Sequence, residues 1–85
     1  MAYRVELSPR ARRDLKKLPA QARERLRGPI DALVHTPRPT GAVKLGGEEN
    51  TYRIRVGSYR VLYEIHDQIH LVIVMKVADR KEAYR

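Results

Sequence analysis

The sequence predicts a small α+β domain: a leading strand, then an antiparallel two-helix hairpin lying on one face of a mainly antiparallel sheet, in the order β-α-α-β-β-β. Three observations predict it. Apolar and charged residues alternate over Tyr3 to Leu7, the pattern of a half-buried strand. They then recur at helical spacing from Ala11 to Val34. Alternation returns in the second half, where turn residues divide the chain into short runs. At 85 residues the chain reads as one domain, residues 1–85, with no repeat, linker or low-complexity segment.

In the leading strand Tyr3, Val5 and Leu7 share one face and Arg4 and Glu6 the other. Ser8 caps the helix that follows, and Pro9 takes its first position, where a missing amide hydrogen costs nothing. Ala11, Leu15 and Leu18 form the inner stripe of that helix, which leaves Arg10, Arg12, Arg13, Lys16 and Lys17 outside until Pro19 ends it. A second helix begins near Ala20 with Ala22, Leu26, Ile30, Leu33 and Val34 inward. Pro29 inside it removes a hydrogen bond and crowds the preceding turn, at a cost of about 3 kcal/mol, so a kink or a break into two shorter helices is expected. The short connection through Pro19 makes the two helices neighbours.

TPRPTG, from Thr36 to Gly41, is a loop by composition, and Val43 to Leu45 is a candidate short strand before a turn at Gly46 to Asn50. The stretch TYRIRVGSYRVLYEI, Thr51 to Ile65, reads as a β-hairpin turning at Gly57 and Ser58, where a first-position glycine suits a type II′ turn. After a turn around Asp67 and Gln68, the run Ile69 to Val77 is almost continuously apolar. It is therefore expected to be an interior strand covered on both faces.

A two-residue turn sets Val56 opposite Tyr59 and Arg55 opposite Arg60, so Arg53, Arg55 and Arg60 project from one side of the hairpin. If the helices cover the face of Ile54, Val56, Val61 and Tyr63, these arginines line the open face. Like charges directly across a strand pair are destabilising, which leaves a solvated outer face or an anion-binding patch as the two readings. The net charge of +8 and pI near 10.3 make a polyanion the leading class of partner, nucleic acid first and an acidic protein second. Arg80, Lys81 and Tyr84 follow the last strand, where a chain of this order brings them beside the patch. Tyr84 either stacks on an unpaired base or pins the tail by packing. Lys44 is either a phosphate contact or a solvated loop lysine. Arg10, Arg13 and Lys17 on the first helix are either a solvated surface or a steering surface for a large RNA.

Cysteine is absent, which excludes a disulfide framework, a thiolate nucleophile and cysteine metal sites. His35, His66 and His70 lack a carboxylate pattern typical of a metal centre, and His66 and His70 flank a turn as surface residues; neither metal nor cofactor is expected. Glu48 and Glu49 are either a source of a carboxylate base or solvated turn residues. The start, MAYRVELSPR, shows no signal-peptide run and the longest apolar run is too short to span a bilayer, so a cytoplasmic protein with no membrane partner is expected.

The run KLGGEENTYRIRVGSYRVLYEI followed by VMKVADRKEAYR resembles the RelE branch of the RelE/ParE superfamily of bacterial and archaeal toxin–antitoxin toxins. The resemblance spans nearly the whole chain, including the leading strand, SPRARRDLKKLP and the second helix. It implies a RelE/ParE-like fold and metal-independent, ribosome-dependent cleavage of messenger RNA in the decoding (A) site, causing growth arrest. In that chemistry a ribose 2′-hydroxyl attacks the adjacent phosphate. Carried over by position, Arg55 and Arg60 would stabilise transition-state charge, Arg53 would match a further basic residue, Arg80 would assist the leaving group, and Tyr84 would stack on a base. The family pattern has lysine at the position of Arg53 as a proposed general base, a role that arginine fills poorly. The implied partners are the ribosome and messenger RNA, a RelB-like antitoxin, and operator DNA only through the antitoxin complex. Two other readings are a ParE-like inhibitor of DNA gyrase and a decayed, non-catalytic RNA-binding or regulatory module.

Overall fold

A computed structural model describes residues 2–47 and 49–79 of the chain. The strands are β1 (Arg4–Leu7), β2 (Val43–Lys44), β3 (Thr51–Val56), β4 (Tyr59–His66) and β5 (Leu71–Asp79), and the helices are α1 (Pro9–Lys16) and α2 (Ala20–Asp31). They form one five-stranded sheet in the order β1-β5-β4-β3-β2, in which β1 runs parallel to β5 and the other pairs are antiparallel. Both helices pack on one face of this mixed sheet, α1 mainly against β5 and α2 against β3. The core lies between the layers and is built from Ala11, Leu26, Ile30 and Leu33 on the helical side against Ile54, Val61, Tyr63, Ile65, Val72, Val74 and Val77 on the sheet.

The hairpin forms with the expected register, Val56 opposite Tyr59 and Arg55 opposite Arg60. Gly57 has φ 59°, a left-handed value, and Ser58 does not, which is the type II′ signature. Ser8 caps α1 by accepting from the Ala11 amide at 3.0 Å, with Pro9 at the first turn.

Two expectations are corrected. Of the two outcomes expected at Pro29, a kink or a break, the break does not occur there: α2 continues through the proline to Asp31, and a 3-10 turn at Ala32–Val34 follows. Leu26, Ile30 and Leu33 are all buried in the core, so tertiary burial on both sides of the proline outweighs its local cost. The last strand is interior, but among the described residues it is covered on one face only. Val72, Val74 and Val77 are buried under the helices, whereas Leu71, Ile73 and Met75 are half-buried and stand outside the core.

The pairing of β4 with β5 slips once. Tyr63 faces Val74 but Leu62 faces Lys76, so Met75 is an extra residue and β5 carries a bulge. A bulge frees backbone groups, and α1 supplies their partners. Ser8 Oγ donates to the Met75 carbonyl at 3.0 Å, and the Val77 amide donates to Asp14 Oδ2 at 3.0 Å. Asp14 is in turn held by Arg10 at 3.2 Å.

At the other end of the sheet an aromatic and ionic clasp fastens the loop after α2. The buried Tyr63 donates to the Pro37 carbonyl at 2.8 Å, and its ring stacks on Tyr52 with centroids 6.0 Å apart. Arg38 lies over the Tyr52 ring, 5.0 Å from its centroid, and forks onto Asp67 at 2.7 and 3.1 Å. Tyr3 also donates to Asp67, at 2.6 Å. The Arg38 hydrogen bonds, reinforced by that of Tyr3, hold the Asp67 carboxyl down at about 2, while the bond to Asp67 raises Tyr3. Burial pushes Tyr63 up to about 12.

Two outcomes are expected. Asp14→Ala leaves the Val77 amide without its acceptor and lowers stability by about 1–3 kcal/mol in urea unfolding; an unchanged midpoint would show that the bulge holds itself. An aspartate depressed on folding stabilises above its unfolded value near 3.9 and loses that contribution as pH falls through its folded value. The melting-temperature advantage of wild type over Asp67→Asn should therefore be full at pH 5 and shrink between about pH 4 and pH 2. A constant advantage across that window would mean that the Asp67 charge contributes nothing.

Candidate nucleic-acid interface

Side chains directly across a strand pair share a face, so the register arranges the open face in rows. Nearest the hairpin turn, Arg55 faces Arg60, and Arg60 faces Ala78 on β5. In the next row Val43, Arg53, Leu62 and Lys76 follow one another from β2 to β5. Thr51, Glu64, Ile73 and Glu6 make the row beyond. The cations thus gather at the turn end. The acids of this face lie farther along and are paired locally, Glu64 with His66 at 3.0 Å and Glu6 with Arg4 at 3.0 Å.

Burial differs among the three arginines. Arg55 is exposed, whereas Arg53 and Arg60 are half-buried. The Arg53 Nε is fully buried and makes no hydrogen bond among the described residues. A desolvated donor without an acceptor costs about 1–3 kcal/mol. The small, buried Ala78 beside Arg60 puts little side-chain bulk in that row.

On the helical side, Arg10, Arg13 and Lys17 line one cleft of about 480 Å³ together with Asp14, Tyr59 and Asp79. Tyr59 pairs with Asp79 one residue along from the Arg60 row, so the cleft opens at the same end of the sheet as the arginines. Lys44 is placed apart from them. It pairs with Tyr52 and so projects to the helix side of the sheet. Arg80, Lys81 and Tyr84 lie outside the described residues, as does Glu48; Glu49 is exposed. Among the described residues no three His, Asp or Glu side chains converge as metal ligands, and no helix is long and apolar enough to cross a membrane.

Lys76 is the open-face cation that strand periodicity conceals. Strict alternation from Val72 and Val74 would assign it to the core. A lysine at a core position, followed at once by Val77, is the local signal that the alternation breaks there.

Comparison with known proteins sets this helix-backed sheet with its basic open face among the small toxins of type II toxin–antitoxin systems. Residues 5–84 match the family model described as the ParE toxin of the type II toxin–antitoxin system parDE. The mRNA interferase toxin RelE of Escherichia coli K12 is 32% identical over 85 residues, covering 98% of this chain and 88% of the relative. Among solved structures, the archaeal RelE–RelB complex of Pyrococcus horikoshii matches with a TM-score of 0.83 at 29% identity, over 94% of this chain and 97% of the other. A RelBE toxin–antitoxin complex of Mycobacterium tuberculosis matches with a TM-score of 0.83 at 32% identity, over 94% and 100%. The chain belongs to the RelE/ParE toxin family and is of the RelE type.

Arg55 and Arg60 stand directly opposite one another, and like charges so placed are destabilising. Arg55→Thr is expected to raise unfolding stability by about 0.2–1 kcal/mol while weakening binding of single-stranded RNA. A variant less stable than wild type would show that the two guanidinium groups do not repel.

Proposed function

We propose that this protein is a ribosome-dependent endoribonuclease that cleaves messenger RNA in the decoding site, causing translation inhibition and growth arrest. The observation that carries the proposal is the gathering of Arg53, Arg55 and Arg60 on the uncovered sheet face of a chain similar along its length to a protein named an mRNA interferase. Arginines suit this task because a planar, permanently charged fork can hold two phosphate oxygens at once.

The reaction is an internal transfer at one phosphodiester. The ribose 2′-oxygen forms a bond to the adjacent phosphorus, the bond from phosphorus to the 5′-oxygen breaks, and the products are a cyclic phosphate and a free 5′-hydroxyl. One proton leaves the attacking hydroxyl and one is gained by the leaving oxygen. Negative charge builds on the phosphorane between these events, and preorganised cations lower its energy. Arg55 and Arg60 take that role, with Arg80 at the leaving oxygen and Tyr84 stacked on a base. Arg53 grips phosphate without accepting the proton, since a guanidinium stays charged at any working pH. Neither metal nor cofactor enters this scheme. Arg10, Arg13 and Lys17, in their cleft at the same end of the sheet, add attraction for ribosomal RNA, with Lys81 as a further backbone contact.

The partner that restrains such a toxin is a RelB-like antitoxin, a reading supported by the RelE–RelB complexes among the matching structures. Operator DNA would be bound only through that complex. The cytoplasm is where ribosomes, message and antitoxin meet. A second reading has a specific observation behind it, since the matching family model is described by the ParE toxin. On that reading the protein inhibits DNA gyrase and its arginines are not catalytic.

Primer extension on a defined messenger RNA bound to ribosomes separates the two. Wild type should cut within the decoding-site codon, Arg60→Ala should lose at least about a hundredfold in rate as for loss of one oxyanion donor, and ribosome-free RNA should remain intact. Growth arrest without cuts, retained in Arg60→Ala, would defeat the nuclease reading in favour of gyrase inhibition.

A further inference from the structure

We infer that Lys76 is a fourth cation of the phosphate site, delivered to the open face by the bulge in β5. The nature of the anion rests on the nuclease reading above; the placement of the lysine does not. Had β5 been regular, residue 76 would follow Val72 and Val74 into the core. Instead Val77 takes the core place opposite Val61, at 4% exposure, and Lys76 pairs with Leu62. Leu62 has Arg53 as its other cross-strand neighbour. Arg53 and Lys76 therefore flank Leu62 from either side, and Arg60 stands two residues along the same strand.

The three cations surround an apolar floor. With neighbouring strands about 4.8 Å apart, the Cα atoms of Arg53 and Lys76 lie about 10 Å from each other, a span that two long side chains close over one phosphate. Lys76 is half-buried and makes neither hydrogen bond nor ion pair among the described residues, so nothing described here competes for its ammonium. Its charge differs in kind from its neighbours: three donors on a flexible stem adapt to an oxygen that moves as the phosphorane forms. The lysine is held in place indirectly. Ser8 and Asp14 bind the backbone of Met75 and Val77 on either side of it, which makes them positioning residues for the site.

The test measures binding and cleavage separately. A short single-stranded RNA methylated at every 2′-oxygen cannot be cut, and its affinity for the protein is followed by fluorescence anisotropy over a series of KCl concentrations. Lys76→Met is expected to lower the slope of log affinity against log salt by about 0.7, the value for one phosphate contact on a single strand. Lys76→Arg should restore it. In the ribosome assay Lys76→Met should cleave about tenfold more slowly with Lys76→Arg close to wild type, and thermal melts of both variants should report a folded domain.

Wild-type slope and wild-type cleavage in Lys76→Met would overturn the inference and leave the nuclease reading standing. A Lys76→Arg variant as defective as Lys76→Met would also overturn it, since charge would then not be what matters. No ribosome-dependent cut by wild type would defeat the nuclease reading, while the salt slope would still decide whether Lys76 meets an anion.

Discussion

Between Tyr63 and Leu62 the pairing of β4 with β5 slips by one residue, and the backbone groups left over must find partners somewhere. They find them on α1, through Ser8 to the Met75 carbonyl and through Asp14 to the Val77 amide. This ties three things together. The capping serine that starts the helix also fixes the bulge. An aspartate on a helix rich in arginine and lysine turns inward toward the sheet, and the strand beyond the bulge regains its grip on the core through Val77. A helix that supplied only apolar contacts to β5 could slide along it. One that also completes β5's hydrogen bonding is pinned at a single register.

The same slip decides what each end of the open face contains. Residues before it keep one parity and residues after it the other, so Ile73 and Lys76 both emerge on the uncovered side although they are an odd number of positions apart. Helices on only one face leave that side free for a charged surface. The ends of the sheet then divide the work: Tyr63, Tyr52, Arg38 and Asp67 form stabilising contacts at one, and like charges gather at the other. Paired charges and stacked rings favour the folded chain, whereas Arg55 opposite Arg60 works against it. On the nuclease reading, a phosphate bound at that end would relieve the repulsion between the two arginines.

Much of this was legible in the sequence because it depended on local rules. Alternation placed β1 and the hairpin, Ser8 and Pro9 marked the helix start, and Gly57 marked the turn, so the gathering of Arg53, Arg55 and Arg60 followed from register alone. The departures share a cause in tertiary contacts. Pro29 stays helical because Leu26, Ile30 and Leu33 are anchored on both sides of it. The apolar run in β5 signalled an interior strand but not which face would be covered, since continuous hydrophobicity carries no parity. Lys44 was one residue from the open face, and its pairing with Tyr52 turned it to the other side. Asp14 gave no sign of its role, because the amide it accepts from, that of Val77 beside the bulge, is 63 residues away.

Arginine side chains supply positive charge and five hydrogen-bond donors but no acceptor, and the candidate site gathers three of them, Arg53, Arg55 and Arg60. On the nuclease reading, such a site holds a phosphodiester monoanion and the dianionic phosphorane formed from it, but it offers no place to put the proton of a 2′-hydroxyl. Electrostatic stabilisation and proton transfer are then supplied by different groups. The cations set how far the barrier falls once the hydroxyl is ionised, and whichever group accepts the proton sets how the rate varies with pH. A toxin of this composition would have its chemistry gated by its surroundings. Ribosomal RNA or an adjoining side chain could provide the acceptor, and free RNA would meet a strong phosphate site that has no means of finishing the reaction. On the nuclease reading, arginine at position 53 leaves the proton of the 2′-hydroxyl to a group outside the arginine cluster.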